Sequence, residues 1–567
     1  MRRLITFLAA LLLGAVPAAL SAGRAALTPD PSYIQIARRF ARQFPEEHLR
    51  RLPIDAGVSS RAWTNYIASF DADHVYFLES DVAAFRADEL ALGERLKGGD
   101  MDFAYQVFQV FLERVKDRYE YVSSLLDKGF DLQQKETYKW KRKDTPWPAN
   151  KAEWNDLWRR KVANEYVQQV VSRELAAAAA TNKVEAKEGG NKSLLPSPQD
   201  LIRQRYKQLQ IILSDSDAEW VLQKYLTAFC QAYDPHSAYM PLSSMDDFDI
   251  EMKLSLVGIG AVLSAEDGAA KIVELIQGGP ADLDKRESRL RPNDKIIAVG
   301  EGDKPAVDVL HWPLHKIVKL IRGEKGTKVV LIVVPASDPT GSTTKTVDLI
   351  RDEVKLEKQA ASARYEEVKD SAGAARRIGI VTLPTFYANM RAGSMSDDDF
   401  KSSAYDVAKI LEEMSGKNVD GVILDLRNNG GGSLLEAIKL AGLFIGTGPI
   451  VEVKEKDRTP KVLKDLDPNI YDEGPLIVLV NRLSASASEI VAAALQDYGR
   501  ALVVGSSKTH GKGTVQTILD LARDKKMGSI KVTTASYYRI NGKSTQLRGV
   551  TPDIVILSPF DYMEFGE

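Results

Sequence analysis

Cysteine is almost absent from this chain of 567 residues: Cys230 is the only one, so no intrachain disulfide can form. It sits in the apolar phrase Leu226 to Ala232 without an electropositive neighbour, which reads as a small buried hydrophobe and not as a thiol nucleophile. An excess of positive charge is also lacking. Lysine and arginine number 76 against 78 acidic residues, a formal charge of -2. A balance of that kind supplies no general field for phosphates, so no nucleic-acid partner is expected. No HExxH or CxxC occurs, and Pro313 lies between His311 and His315, so neither a metal nor another cofactor is expected. Long hydrophobic runs are missing as well. The apolar run Leu4 to Val16, behind Arg2 and Arg3, has thirteen residues. At about 1.5 Å per residue it cannot cross the roughly 30 Å hydrocarbon core of a bilayer. Followed by small residues to Ala22, it has the layout of a secretory signal over residues 1–22, cut near Ser21 or Ala22, with no cysteine nearby to carry a lipid. The mature chain is expected to be exported and soluble, near a membrane only by proximity.

What is present is ample: 44% hydrophobic and 27% charged residues over this length suit several globular domains. From residue 28 to 250 the spacing is helical, as in Phe103, Val107, Val110, Phe111, Val115 and Tyr119, an aromatic stripe read as core packing. Within it, Ala176 to Ala180 followed by Gly189, Gly190, Pro196 and Pro198 predicts a mobile loop over about 181–198. Residues 254–352 change to short β-branched runs, Leu254 to Leu263, Lys271 to Leu275, Asp294 to Val299 and Val329 to Val334, with one helical phrase from His315 to Ile321. Over residues 353–567 strands such as Ile378 to Val381, Val422 to Leu426 and Leu476 to Val480 alternate with helical phrases, which implies an α/β layer. The fold class expected is multidomain α+β.

Two strand-to-loop junctions in that last part carry chemistry. The strand Val422 to Leu426 empties into Arg427-Asn428-Asn429-Gly430-Gly431-Gly432, where glycines let backbone N–H groups turn outward and approach a ligand closely. The strand Leu476 to Val480 leads to Ser484-Ala485-Ser486-Ala487-Ser488-Glu489 and then a helix, a turn that exposes a hydroxyl beside the positive end of a helix dipole. The same Ser-to-Glu spacing is an ordinary helix cap. A hydroxyl needs a base, and Thr509-His510-Gly511-Lys512-Gly513-Thr514 offers two, His510 or a Lys512 made neutral by burial. Local chemistry leaves both open.

At these residues the sequence resembles the carboxyl-terminal processing proteases, on the tail-specific side of that family. The likeness runs through Asp71 to Leu78, Tyr233 to Tyr239, Gly258 to Leu263, Asp425 to Gly432, Ser484 to Tyr498, Gly511 to Gln516 and Gly549 to Ile554. It implies a serine endopeptidase of the periplasm with Ser486 as nucleophile and Lys512 as general base, His510 standing by. It further implies Gln516 holding the base, Asp497 in the helix after the nucleophile, and oxyanion donors at Ala487 and Gly431. The β-rich stretch then resembles a PDZ domain, with Leu256, Val257, Gly258, Ile259 and Gly260 as the loop that takes a chain end. The partners implied are protein or peptide substrates with apolar C-termini, and an adaptor protein. The rival class is a catalytically silent PDZ scaffold. Two departures stand out. The stretch Ser506 to His510 is one residue longer than the family pattern, so the approach of Lys512 to Ser486 rests on the flanking motif. The chain also stops at Glu567 where tail-specific members continue into a further helical region.

Overall fold

A computed structural model describes residues 27–567 apart from 28, 132, 182–195, 267, 339–342, 389–400 and 564. The signal over residues 1–22, and most of the loop expected over 181–198, lie outside the described residues.

The chain begins with helices α1 (Ser32–Glu47), α2 (Ala56–Asp71), α3 (Glu79–Phe85), α4 (Leu92–Gly98), α5 (Asp102–Lys128), α6 (Lys151–Thr181), α7 (Pro198–Ser214) and α8 (Ala218–Gln231). The side chains of α5 that are buried are Phe103, Ala104, Val107, Phe108, Phe111, Val115, Arg118, Val122 and Leu126, one face at three- and four-residue spacing. Val110 and Tyr119 sit at the margin of that face, half-buried. Each ring withdrawn from water is worth about 1.5–3 kcal/mol, so this stripe holds α5 in the core of the unit. Cys230 is fully buried in the same core. Asp71 ends α2, and its carboxylate accepts from the backbone N–H groups of Val75 (2.7 Å), Tyr76 (3.0 Å) and Phe77 (2.9 Å) and from Trp147 Nε1 (3.1 Å). The Asp71 to Leu78 phrase is thus a turn organised around one buried acid.

A short strand β1 (Ala238–Met240) and helix α9 (Leu242–Lys253) lead to β2 (Ser255–Gly258). Then come β3 (Ala261–Glu266), β4 (Ala269–Leu275), α10 (Pro280–Leu283), β5 (Lys295–Glu301), β6 (Val307–Asp308), α11 (Leu314–Ile321), β7 (Lys328–Val334), β8 (Lys345–Ile350) and β9 (Asp352–Lys355). The single run expected over Leu254 to Leu263 is two strands. Gly260, at φ +73°, breaks it. A Cβ at that position would come 2.9 Å from the Cα of Gly279, so only glycine permits the approach. β2 pairs antiparallel with β9, Ser255 opposite Lys355 and Gly258 opposite Asp352. β3-β4-β5-β7-β8 form a separate sheet with β6 beside β5, around a core of its own that includes Ile259, Ile272, Ile296, Ile317, Leu331 and Val347. This β-rich unit is therefore inserted into the chain through a two-stranded stem.

The remainder contains β10 (Ser362–Lys369), β11 (Ala375–Thr382), α12 (Ser403–Gly416), β12 (Gly421–Asp425), α13 (Leu434–Ile445), β13 (Gly448–Glu455), β14 (Lys461–Asp465) and β15 (Leu476–Val480). It ends with α14 (Ala487–Asp497), β16 (Leu502–Gly505), β17 (Thr514–Asp520), β18 (Ser529–Tyr538) and β19 (Ile554–Val555). One sheet has the order β10-β11-β12-β15-β16-β19, parallel except for β10. A second joins β1, β18, β13 and β14, with β17 on the other side of β18. Pairing of β1 with β18, Tyr239 opposite Ile530, sews the helical unit to this sheet, and Leu521, Ile530 and Val532 belong to the helical core.

Candidate active site

β12 and β15 are neighbours in the parallel sheet, Asp425 opposite Leu479, so both expected loops leave the same carboxyl edge, where α/β sheets place their ligands. The loops are laced together. Ala485 N–H and Ser488 Oγ both donate to the Asn429 carbonyl, at 3.0 and 2.9 Å, and Ser484 Oγ donates to the Leu426 carbonyl at 2.8 Å. Ser484 and Ser488 are fully buried with their hydroxyls in use, whereas Ser486 lines an open cleft of about 620 Å³.

Ser486 has φ +56° and ψ −112° at the N-cap of α14. For a residue with a Cβ that backbone costs about 1–3 kcal/mol, and it makes the sharp strand-to-helix turn that lifts a hydroxyl out of the chain. Gly431 makes room for it. A Cβ on Gly431 would come 2.8 Å from Ser486 Cβ and 3.2 Å from Ala487 N, and its own φ is +106°. The Ala487 N–H is the first of α14 and has no acceptor within the helix. The Gly431 N–H, in contrast, donates to Asn429 Oδ1 at 2.9 Å, so the donor expected there is already engaged within its own turn.

Glu489, read from sequence only as part of a cap, holds the site together. It is fully buried, and its Oε2 accepts from the backbone of Ser486 (2.8 Å) and Lys512 (3.0 Å). Its Oε1 accepts from Gly511 N–H (2.7 Å) and Thr509 Oγ1 (2.6 Å). One carboxyl thus clamps the serine turn to the loop before β17. Burial pushes it up to about 7, against the pull of those hydrogen bonds. The sequence signal was present in the acid three residues after Ser486, but its second set of partners lies 20 to 23 residues further on.

Lys512 lines the same cleft. Burial brings its ammonium down to about 8, and the neighbouring Lys531 acts in the same direction, while Glu567, Glu489 and Asp234 oppose them. Its carbonyl accepts from Thr545 Oγ1 at 2.8 Å and from the Tyr537 hydroxyl. His510 is not among the cleft residues; its N–H donates to the Ser484 carbonyl at 3.0 Å. No hydrogen bond joins Ser486 Oγ to Lys512 Nζ in this arrangement. Gln516 lines the cleft from β17, its Nε2 donating to Thr514 Oγ1 (2.9 Å) and Thr533 Oγ1 (3.0 Å).

Asp497 is not brought to this place. It closes α14, eleven residues after Ser486 and therefore about 16 Å along the axis. There its carboxylate is held by Arg539 Nε (2.9 Å), Arg539 Nη2 (2.6 Å) and Asn541 Nδ2 (2.8 Å). The expected peptide loop is also largely engaged: Leu256, Val257 and Gly258 pair with β9, and Ile259 is buried in the core of the inserted unit. The expected helical stretch to residue 250 covers most of α9, but sequence reasoning missed its place in the site, where Met245, Phe248 and Met252 line the cleft.

With that geometry in place, two family descriptions match the chain: the tail specific protease N-terminal domain over residues 40–243 and peptidase family S41 over residues 377–556. The tail-specific protease of Haemophilus influenzae is 34% identical over 94% of this chain and 71% of its own length. The chain belongs to the tail-specific proteases of peptidase family S41. It is a serine-type peptidase of the carboxyl-terminal processing kind, and its fold is multidomain α+β. The carboxy-terminal processing protease CtpA of Bacillus subtilis is 32% identical over 57% of this chain and 60% of its own. A solved PDZ domain of a carboxy-terminal protease from Vibrio cholerae, in complex with peptide, is 43% identical over 18% of this chain and all of its own, with a TM-score of 0.17. Among the described residues no helix is long and apolar enough to cross a membrane.

Proposed function

We propose that this tail-specific protease cleaves exported proteins in the periplasm by a Ser486–Lys512 dyad, after the inserted β-rich unit has taken hold of an apolar C-terminus. The observation that carries the reading is the sharing of one cleft by the sole serine of the run with an uncommitted hydroxyl and a lysine depressed to about 8. Neutral Lys512 takes the Ser486 proton as Oγ attacks a peptide carbonyl. The oxyanion is met by the Ala487 N–H, and by Gly431 once the Asn429 amide turns aside. Lys512, now protonated, delivers its proton to the departing amine, and water later releases the acyl group along the reverse path. Gln516 steadies the base; Asp497 has no part in the chemistry.

Among the described strands β17 pairs with β18 alone, so its other edge is open toward α9, and a substrate backbone can lie along it with apolar side chains against Met245, Phe248 and Met252. Edge strand β3 beside α11 offers the corresponding site for the chain end, with Ile259 and Gly260 joining it to β2. Proteins exposing such ends are the substrates, and an adaptor can present them.

The test is incubation of the purified protein with an unfolded peptide ending in apolar residues. Wild type and His510→Ala should cleave it, and Ser486→Ala and Lys512→Ala should not while remaining folded by circular dichroism. Cleavage by Lys512→Ala, or its loss in His510→Ala alone, defeats the lysine assignment; binding without cleavage by every variant points to a scaffold.

A further inference from the structure

We infer that Asp234 and Thr533 are positioning residues for the dyad: they fix the orientation of the Gln516 amide, so that the helical unit sets the geometry of the base. This rests on the reading of Lys512 as base and Gln516 as its partner.

Thr533 lies on β18 and is gripped by the helical unit on every polar side. Its N–H donates to Ser237 Oγ (3.1 Å), its carbonyl accepts from Leu49 N–H (2.7 Å), and its hydroxyl donates to Asp234 Oδ1 (2.9 Å). A carboxylate can only accept, so the one hydroxyl hydrogen of Thr533 is committed to Asp234. What Thr533 presents to the cleft side is a lone pair. That lone pair accepts from Gln516 Nε2 at 3.0 Å, which turns the acceptor end of the amide, Oε1, away from Thr533. Asp234 is itself fixed: Oδ2 takes the Ser237 hydroxyl at 2.5 Å and the buried His48 ring at 2.7 Å, and Oδ1 takes the N–H groups of His236 and Ser237. Burial pushes the carboxyl up, but these bonds outweigh it and hold the group well below the usual carboxylate range, which favours the accepting form. Without this chain of partners the amide can flip, offering Nε2 in place of Oε1 and leaving a lysine ammonium opposed by a donor.

The experiment measures peptide turnover by Thr533→Val, Thr533→Ser and Asp234→Ala beside Lys512→Ala and Gln516→Ala, in the full chain. Thr533→Val should lower kcat about tenfold or more with KM within about twofold, as expected when base positioning and not binding is lost. Thr533→Ser, which keeps the hydroxyl, should restore kcat to within about threefold of wild type. If Thr533→Val is too unstable to assay, Asp234→Ala, which removes the acceptor and lets the threonine hydroxyl turn back toward Gln516, should give the same kcat loss at unchanged KM. Wild-type kcat in either variant, or equal losses in Thr533→Val and Thr533→Ser, overturns the inference while inactive Lys512→Ala and Gln516→Ala keep the dyad. An active Lys512→Ala or Gln516→Ala removes the reading beneath it, and the inference falls with it.

Discussion

Burial holds Lys512 near 8, with Lys531 adding to the effect, and this sets how activity should respond to pH. The proposed base would work when neutral, so kcat/KM should rise as pH climbs through about 8 and level off above it. Lys531→Gln removes a like charge that disfavours the ammonium, so Lys512 should rise and the limb should move to higher pH. A pH–rate profile whose limb stays in place or moves down contradicts the assignment. Glu489 gives a second expectation. Three of its four donors are backbone N–H groups, so Glu489→Gln must set an amide NH2 against at least one donor that cannot turn away. Such a buried mismatch costs about 1–3 kcal/mol, readable as a lower urea midpoint at unchanged slope, together with loss of turnover. Wild-type stability would show that the clamp is not formed.

The strand-to-loop junctions are the elements on which the proposed catalysis would depend, and their fit is steric. Gly431→Ala places a methyl 2.8 Å from Ser486 Cβ at a φ of +106°. It should lower stability by about 1–3 kcal/mol and reduce kcat at least about a hundredfold, with the variant still binding peptide. Undiminished turnover would mean that the two turns are further apart than the structure has them. These junctions were legible in the chain because a buried strand, a glycine run and a serine run each announce themselves locally. The place of α9 in the cleft was not, because Met245, Phe248 and Met252 recur at ordinary helical spacing and nothing in that pattern says which surface they meet. Gln516 was legible by family likeness alone; its partner Thr533 sits on another strand, seventeen residues on, and is chosen by β17–β18 register.

The architecture sets the β-rich unit apart from the sheets that carry the cleft, and on the proposed reading this separates recognition from cleavage. The β-rich unit enters through β2 and leaves through β9, so Ile259 to Arg351 can be replaced by a short turn joining Gly258 to Asp352. The remainder should fold, by circular dichroism and a cooperative melt, and should cut unfolded peptides with no preference for an apolar end. Retained preference would move recognition to the cleft. The helical unit is different: β1 pairs with β18 and its core includes Ile530 and Val532, so it cannot be removed without opening the sheet that carries Lys512 and Gln516. Periodicity and turn residues alone determined the helical, β-rich and α/β stretches, because backbone preference and one-sided burial act within a few residues. Which serine keeps a free hydroxyl, where Asp497 points, and what clamps Ser486 to Lys512 were decided only on folding. Those choices depend on distances between segments far apart in the chain, and buried donors and acceptors must find partners wherever the packed strands bring them.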